Sequence, residues 1–432
     1  MKQFSAFLTL FLLFSCALEK DSSWIDKNVI PIRSIEPEDE DYSDLEPLKE
    51  KIGSSRVVML GEQEHGDGST YAAKSRLVKF LYQEMGFSVV AFESGFYGVN
   101  KAWDDYKAKK ISYEQVLGQL YIFWSESEMC QDFFERVESS QNSESPISLA
   151  GFDNQQITRI AKRDFIPGID SLLRAHNIDF LQGDLNWFKQ TTSDLMDHFY
   201  DHKLPPKDQE RFFEIIASMK QNLTDKGVSS FWIQSFDNLK GFAEHAWFFW
   251  IDKEADMADH NWWDIQMAKN FMWLYREKYK NERIIIWAAN GHTVKTDTLF
   301  DVEVEGYKPE IRQYPMGEVL FDSLGQDLYS IGFTSSKGSY ATLNYDVESD
   351  ELQFVPEAFE PVDSLSLEYQ LEQTGHQYSF LNFKNESDPW LNVDRRMRVW
   401  RPDYVRGKLP ELYDGIFYIK EMKPNTKLLV SD

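Results

Sequence analysis

The stretch Val57-Val58-Met59-Leu60-Gly61-Glu62-Gln63-Glu64-His65-Gly66 decides the predicted fold. Its four apolar residues are typical of a buried strand, and a carboxylate and an imidazole follow the glycine that ends them. The apolar run Ser88 to Phe92 leads into Glu93 in the same way. Each segment alone also fits a core strand with a solvated end. Together they indicate an open α/β sheet, in which sites form at the carboxyl ends of the strands.

Two later apolar runs also end on polar side chains. The run 147–152 ends at Asp153, and the run 284–288 is followed by Asn290 and His292. If these strands are parallel neighbours, their polar ends converge on one crevice. The predicted catalytic residues are His65, Glu62, Glu93 and His292. The predicted substrate-binding residues are Lys74, Arg76, Glu64, Asp153 and Asn290.

The chemistry of this set is that of a general base. A carboxylate beside an imidazole holds its tautomer and raises its basicity, which lets the imidazole deprotonate water. Glu62 and Glu93 are the candidate carboxylates, while Lys74 and Arg76 offset their charge or polarise a carbonyl oxygen. No Gly-x-Ser-x-Gly elbow, phosphate-binding glycine loop or His-Glu-x-x-His motif occurs.

A metal-dependent reaction is an alternative for the same residues. Glu62, His65, Glu93 and His292 offer nitrogen and oxygen ligands that suit zinc or manganese. We expect neither a metal nor a cofactor to be required.

The order of apolar runs predicts the domain organisation. Residues 46–156 and 280–432 follow an α/β pattern with a mainly parallel sheet. Between them, residues 157–279 are helical over more than a hundred positions, which is too long for one crossover connection. We therefore expect a large inserted helical lobe that covers the C-terminal strand ends.

The amino terminus has the pattern of a bacterial lipoprotein. Residues 1–15 form a short basic start and an apolar run that is too short to span a membrane. Leu13-Phe14-Ser15-Cys16 is typical of a lipobox, so we expect lipidation at Cys16, with an ordinary secretory signal as the alternative. An acidic tether over 16–45 then precedes the fold. These features predict the cell envelope, with membrane contact through the lipid anchor only.

The composition limits the classes of partner molecule that we expect. The chain has 46 basic and 71 acidic residues and a net charge of -25, which disfavours nucleic acid. It also has 13 Trp, 20 Tyr and 32 Phe, enough for a large core and an apolar pocket. Small molecules are the expected partners.

The ordered motifs resemble those of the erythromycin esterase family. The resemblance rests on Gly61-Glu62-Gln63-Glu64-His65-Gly66, Lys74 to Lys79, Gly86-Phe87 leading to Glu93, Gly151-Phe152-Asp153, Asp264 through Asn270, Asn290-Gly291-His292, Met316-Gly317 and Tyr413-Asp414-Gly415. It spans roughly residues 50 to 420. Four positions differ from the family's pattern, and they are Glu64, Ser69, Trp263 and Ala289.

The resemblance implies an α/β core with a helical lobe over a cleft. It also implies hydrolysis of a macrolide lactone by water that His65 activates, with Glu62 and Glu93 in support and His292 as a second histidine. Our hypothesis is a metal-independent hydrolase of a small ester or lactone, for which macrolides and antibiotic resistance are one case. The alternative is a non-catalytic envelope lipoprotein that binds haem or another flat apolar ligand on the same scaffold.

Overall fold

A computed structural model describes residues 24–249, 260–296, 314–346, 351–399 and 404–428 of the chain. The predicted signal segment 1–15 and Cys16 lie outside the described residues, so the lipid anchor stays a prediction. Within these ranges, no helix is both long and apolar enough to cross a membrane.

The strands form one large mixed sheet and a separate two-stranded ribbon. The sheet has the order β1-β8-β11-β6-β2-β5-β3-β4, with β7 paired to β6, and the ribbon joins β9 to β10. All neighbours from β11 to β4 run parallel, while β1, β7 and β8 pair antiparallel. The bounds are β1 Ile30–Ile32, β2 Val57–Leu60, β3 Phe87–Gly95, β4 Ser148–Asp153, β5 Arg283–Trp287, β6 Leu328–Asp346, β7 Glu351–Ala358, β8 Tyr378–Asn382, β9 Arg395–Met397, β10 Val405–Gly407 and β11 Gly415–Met422.

Strand β5 lies between β2 and β3, the first two strands that the sequence predicts for the site. Leu60 of β2 and Phe92 of β3 both lie opposite Trp287 of β5, and Phe92 lies opposite Gly151 of β4. The four strands therefore end at the same level. The polar residues that follow them meet at one edge of the sheet, with those of β2 and β3 on either side of β5.

Helices cover both faces of this sheet. Their bounds are α1 Glu46–Ile52, α2 Gly68–Met85, α3 Phe96–Lys107, α4 Tyr113–Leu117, α5 Ile122–Ser125, α6 Gln131–Ser140, α7 Arg159–His176, α8 Gln182–Asp197, α9 Pro206–Asp225, α10 Ser230–Glu244, α11 His260–Trp273, α12 Asn290–Thr293, α13 Met316–Leu324, α14 Leu367–Gln373 and α15 Leu409–Leu412. Alternate strand residues enter two different cores because side chains of a strand point to opposite faces. Val58, Val90 and Ile285 pack with α2 and α6, whereas Val57, Val89 and Ile284 pack with α11 and α13.

The helices α7 to α10 have an apolar core of their own. Phe165, Phe188, Phe212 and Phe242 are buried there. Helix α11 lies within the predicted 157–279 lobe, yet Met267 and its apolar neighbours pack against the sheet. It therefore links the helical region to the strands that carry the site.

The expected tether over 16–45 is wrong for its described part, which is folded. Strand β1 pairs with β8. Arg76 is 1% exposed and donates hydrogen bonds to the carboxylate of Asp44 and to the carbonyl oxygens of Ser34, Asp39 and Asp41. The acidic segment is fixed because this buried guanidinium neutralises and cross-links it.

Candidate active site

The loop between β2 and α2 needs its two glycines. A Cβ atom at Gly61 would lie 2.0 Å from Oδ1 of Asn290, and one at Gly66 would lie 1.7 Å from the carbonyl oxygen of Ala341. Neither position has room for a side chain. The close packing brings Glu62 and His65 over the end of the sheet.

Glu62 is buried and fully hydrogen-bonded. Its Oε1 lies 2.8 Å from Nδ1 of His65 and accepts the indole N–H of Trp124 at 3.2 Å. Its Oε2 accepts the ammonium of Lys74 at 2.6 Å and the indole N–H of Trp287 at 3.1 Å. Because Nδ1 faces a carboxylate, the neutral ring carries its proton there and presents the lone pair of Nε2.

Lys74 lies behind Glu62. Its ammonium is fully buried and also donates to the carbonyl oxygen of Ala288 at 3.2 Å. Burial lowers the pKa of Lys74, and the charge of Glu62 opposes this effect. The predicted contact with substrate does not fit this position, since Glu62 takes the ammonium group.

A second carboxylate–imidazole pair faces the first. Nδ1 of His292 lies 2.8 Å from Oδ1 of Asp264, which also accepts the backbone N–H of Met316. Oε1 of Glu93 lies 3.3 Å from Nε2 of His292 and 3.7 Å from Nε2 of His65. Oε2 of Glu93 accepts the backbone N–H of Ala289 at 2.9 Å. We call His65, His292 and Glu93 the two-histidine cluster.

The carboxylates govern protonation of this cluster. Burial lowers the pKa of His65, but the hydrogen bond to Glu62 and the charges of Glu93 and Glu62 outweigh it and raise the pKa to about 9. For His292, burial is outweighed by Asp264 and Glu93, which hold its pKa well above the usual value. Burial raises the pKa of Glu93, but the two imidazolium charges lower it to about 2.

Asp153 lies next to the cluster and is itself buried. Its carboxylate accepts the hydroxyl of Tyr121 and the indole N–H of Trp263, the latter at 2.6 Å. Burial, with the nearby charge of Glu93, raises the pKa of Asp153 to about 6, although the hydrogen bond from Tyr121 opposes this. The hydrogen bonds from Tyr121 and Trp263 take up the carboxylate oxygens of Asp153, which were predicted to contact substrate.

The other predicted binding residues have different surroundings. Nδ2 of Asn290 donates to the carbonyl oxygens of Phe333 and Val399, and its Oδ1 accepts the N–H of Phe333, so the buried amide serves the backbone. Glu64 is partly exposed beside His65 and accepts its backbone N–H. The predicted substrate role of Arg76 is contradicted by its bonds to the acidic segment.

Five residues that hold the predicted groups had been given no role in the predicted site. These are Asp264, Trp124 and Trp287, together with Tyr121 and Trp263 beside Asp153. A tryptophan in a strand or helix is usually a core residue, and its indole N–H seeks a buried acceptor. The signal that could have identified these tryptophans was a carboxylate predicted to be buried with no partner close to it in the sequence. Such a carboxylate needs a donor from a distant segment, and an indole N–H can be that donor.

A metal site is not formed by the side chains that the structure describes. Among them, no group of three His, Cys, Asp or Glu residues is arranged to hold a metal ion. Cys130 is buried, and burial raises the pKa of its thiol to about 12.

Comparison with known sequences gives the same family along most of the chain. The sequence profile described as erythromycin esterase matches residues 82–422. A putative hydrolase, YbfO, of Bacillus subtilis (strain 168) is 25% identical over 430 residues, which cover 93% of this chain and 91% of that protein. The erythromycin esterase type II of Escherichia coli is 24% identical over 428 residues, covering 92% and 97%.

Solved structures share the fold. A Bacillus cereus protein has a TM-score of 0.75 at 20% identity, covering 95% of this chain and 99% of that one. An erythromycin esterase mutant in its open conformation has a TM-score of 0.68 at 15% identity, covering 92% and 98%. These likenesses confirm the predicted α/β fold with a mainly parallel sheet. The profile match over more than half of its length shows that this chain belongs to the erythromycin esterase family.

Proposed function

We propose that this protein hydrolyses a carboxylic ester or lactone by direct attack of water, with His65 as the general base. One observation carries the proposal: two imidazoles, each held at Nδ1 by its own carboxylate, direct Nε2 towards the same oxygen of Glu93. A water molecule at this oxygen would lie within reach of Nε2 of both rings. General acid–base catalysis needs this placement of groups.

The environments of the two histidines assign their roles. Glu62 acts on His65, but the ammonium of Lys74 at 2.6 Å offsets its charge. His292 lies 2.8 Å from Asp264 and 3.3 Å from Glu93, whereas Nε2 of His65 lies farther from Glu93, at 3.7 Å. His65 is therefore the easier ring to deprotonate, and His292 is the more stable cation.

The reaction then balances as follows. His65 takes a proton from water as the oxygen attacks the carbonyl carbon. His292, as the cation, gives a proton to the leaving alkoxide when the carbon–oxygen bond breaks, and solvent returns the proton from one ring to the other. Glu93 stays ionised and holds both rings.

A covalent route through an activated hydroxyl or thiol requires such a group beside one of the imidazoles. Among the described residues, no serine, threonine or cysteine hydroxyl or thiol hydrogen-bonds to either imidazole. Direct attack needs only water and the two rings. The names of the relatives, a putative hydrolase and an erythromycin esterase, support hydrolysis as the reaction class.

The test is hydrolysis of a panel of neutral esters and lactones by the purified protein and by His65→Gln. We expect turnover by the wild type and a loss of about 10²–10⁴-fold in kcat for the variant. In ¹⁸O-water, a single turnover should place the label in the acid product, and hydroxylamine should trap no acyl-enzyme. Equal rates for the two proteins would refute the proposal.

A further inference from the structure

We propose that Tyr121, Phe123 and Trp263, which we call the aromatic rim, bind an unsaturated ring of a neutral ester or lactone beside the two-histidine cluster. This inference names a substrate class and rests on the proposed function.

The aromatic rim borders both histidines. The ring of Phe123 stacks on His65 with centroids 4.6 Å apart and planes 3° apart. The indole of Trp263 lies 5.2 Å from the ring of His292. Tyr121 lies 5.9 Å from Phe123, edge to face. All three residues are partly exposed, so a substrate that reaches Nε2 of either histidine meets an aromatic surface.

Asp153 accepts hydrogen bonds from the polar atoms of the aromatic rim, so these atoms are not available to a ligand. The hydroxyl of Tyr121 and the indole N–H of Trp263 both donate to its carboxylate. Asp153 is not exposed to solvent. The rings are left with their carbon faces and edges for a ligand. Such surfaces favour apolar and aromatic groups over hydrogen-bonding ones.

The rim is held in place before any ligand binds. Trp263 is fixed at its N–H by Asp153 and stacks on His245, with centroids 4.9 Å and planes 22° apart. Tyr121 stacks on buried Trp124 with centroids 5.9 Å apart. Preorganised rings lose little conformational freedom on binding, which favours affinity for a flat group.

Carboxylates outnumber cationic groups at the site, which disfavours an anionic substrate. Even with both imidazoles protonated, His65, His292 and Lys74 face the carboxylates of Glu62, Glu64, Glu93, Asp153 and Asp264. Carboxylates of Glu93, Asp153 and Asp264 contact rim or histidine side chains, and Glu64 is partly exposed next to His65. A carboxylate on the substrate would be repelled, while the positive edge of an aromatic ring is compatible with this field.

The first test is equilibrium binding of two neutral amides that differ only in unsaturation, N-benzylacetamide and N-(cyclohexylmethyl)acetamide. Calorimetry with the wild type should show about threefold to tenfold tighter binding of the benzyl compound. N-(4-carboxybenzyl)acetamide should bind at least about tenfold more weakly than the benzyl compound. Equal affinities within either pair would overturn the proposal.

Variants separate the rim from general packing. Trp263→Leu should abolish the preference for the benzyl amide, and Trp263→Phe, which restores a ring, should retain most of it. Trp262→Leu is the matched control, since Trp262 is on the same helix but is 42% exposed, and it should bind like the wild type. A preference that persists in Trp263→Leu would overturn the assignment.

Turnover distinguishes this inference from the proposed function. Benzyl acetate should exceed cyclohexylmethyl acetate in kcat/KM, with the difference mainly in KM. If the amides show the preference but no ester is hydrolysed faster than by His65→Gln, the proposed function fails and the rim stands. If both esters are hydrolysed with equal kcat/KM, the rim fails and the function stands.

Discussion

The ammonium of Lys74 lies 2.6 Å from Oε2 of Glu62, and neither side chain is exposed to solvent. The opposite edge of the same carboxylate holds Nδ1 of His65 at 2.8 Å. The carboxylate of Glu62 thus interacts at the same time with a buried ammonium group and with an imidazole. The lysine thereby limits how strongly Glu62 favours the protonated form of His65.

Lys74→Met should therefore raise the pKa of His65 and move the rise of kcat/KM with pH to a higher pH. Lys79→Met is the control, because Lys79 is equally buried on α2 but pairs with Asp132 at 2.6 Å. Both variants remove a buried lysine from its ion pair and should be destabilised, while only Lys74→Met should shift the pH profile. A common profile would contradict the role of Lys74.

The wild type should become more active and less stable over the same pH range. The pKa of His65 in the folded protein is about 9, above its usual 6.5. If its neutral form is the base, kcat/KM rises about tenfold per pH unit below about 9 and then levels off. The stabilisation from the protonated ring is complete below pH 6.5 and is lost as pH rises through about 9. Kinetics and denaturant unfolding on one buffer series measure both trends. A flat rate between pH 6.5 and 9 would exclude this base.

Glu93→Gln should move the kinetic profile in the opposite direction to Lys74→Met. The amide oxygen can still accept the N–H of Ala289, but the negative charge between the two rings is lost. The pKa values of His65 and His292 should both fall, which shifts the rise in kcat/KM to lower pH and reduces its plateau. A shift to higher pH would contradict the charge assignment.

Asp264→Asn should lower kcat by about 10²-fold with little change in KM, since His292 would lose its anchor and become a less stable cation. Asp322→Asn removes an exposed carboxylate on α13 and should leave kcat unchanged. Titration of the histidine ring signals by NMR would report the pKa of His292 directly. An unaltered kcat in Asp264→Asn would remove His292 from the proposed proton transfer.

Arg76→Met should destabilise the protein by about 3 kcal/mol, because it leaves Asp44 and several carbonyl groups without their buried partner. Activity per folded molecule should stay unchanged. Arg33→Met, which removes an exposed partner of Asp39 and Asp41, should cost much less. A selective rise in KM for Arg76→Met would restore its predicted contact with substrate.

The strand ends were predictable because an apolar run followed by a polar residue is a local pattern. Glu62, His65, Glu93 and His292 lie together as that pattern implied. Asp264 was not predictable in its role, since helix α11 reaches His292 only through its packing on the sheet. Lys74 and Arg76 were treated alike, although residues two apart on a helix point to different sides. That spacing explains why one holds Glu62 and the other holds the acidic segment.

The position of β5 between β2 and β3 has a consequence for how the protein folds during its synthesis. Strands β2 and β3 are close in sequence, but the slot between them is filled by a strand that is synthesised about two hundred residues later. Until then both strands have an open edge, which invites incorrect pairing. Contacts between such distant segments form slowly. Trp287 in β5 donates one hydrogen bond to Glu62, and His292 follows β5. A chain that has been synthesised only as far as the start of β5 therefore has no complete site. Activity therefore appears only after β5 has entered the sheet between β2 and β3, so that it reports this long-range step of folding.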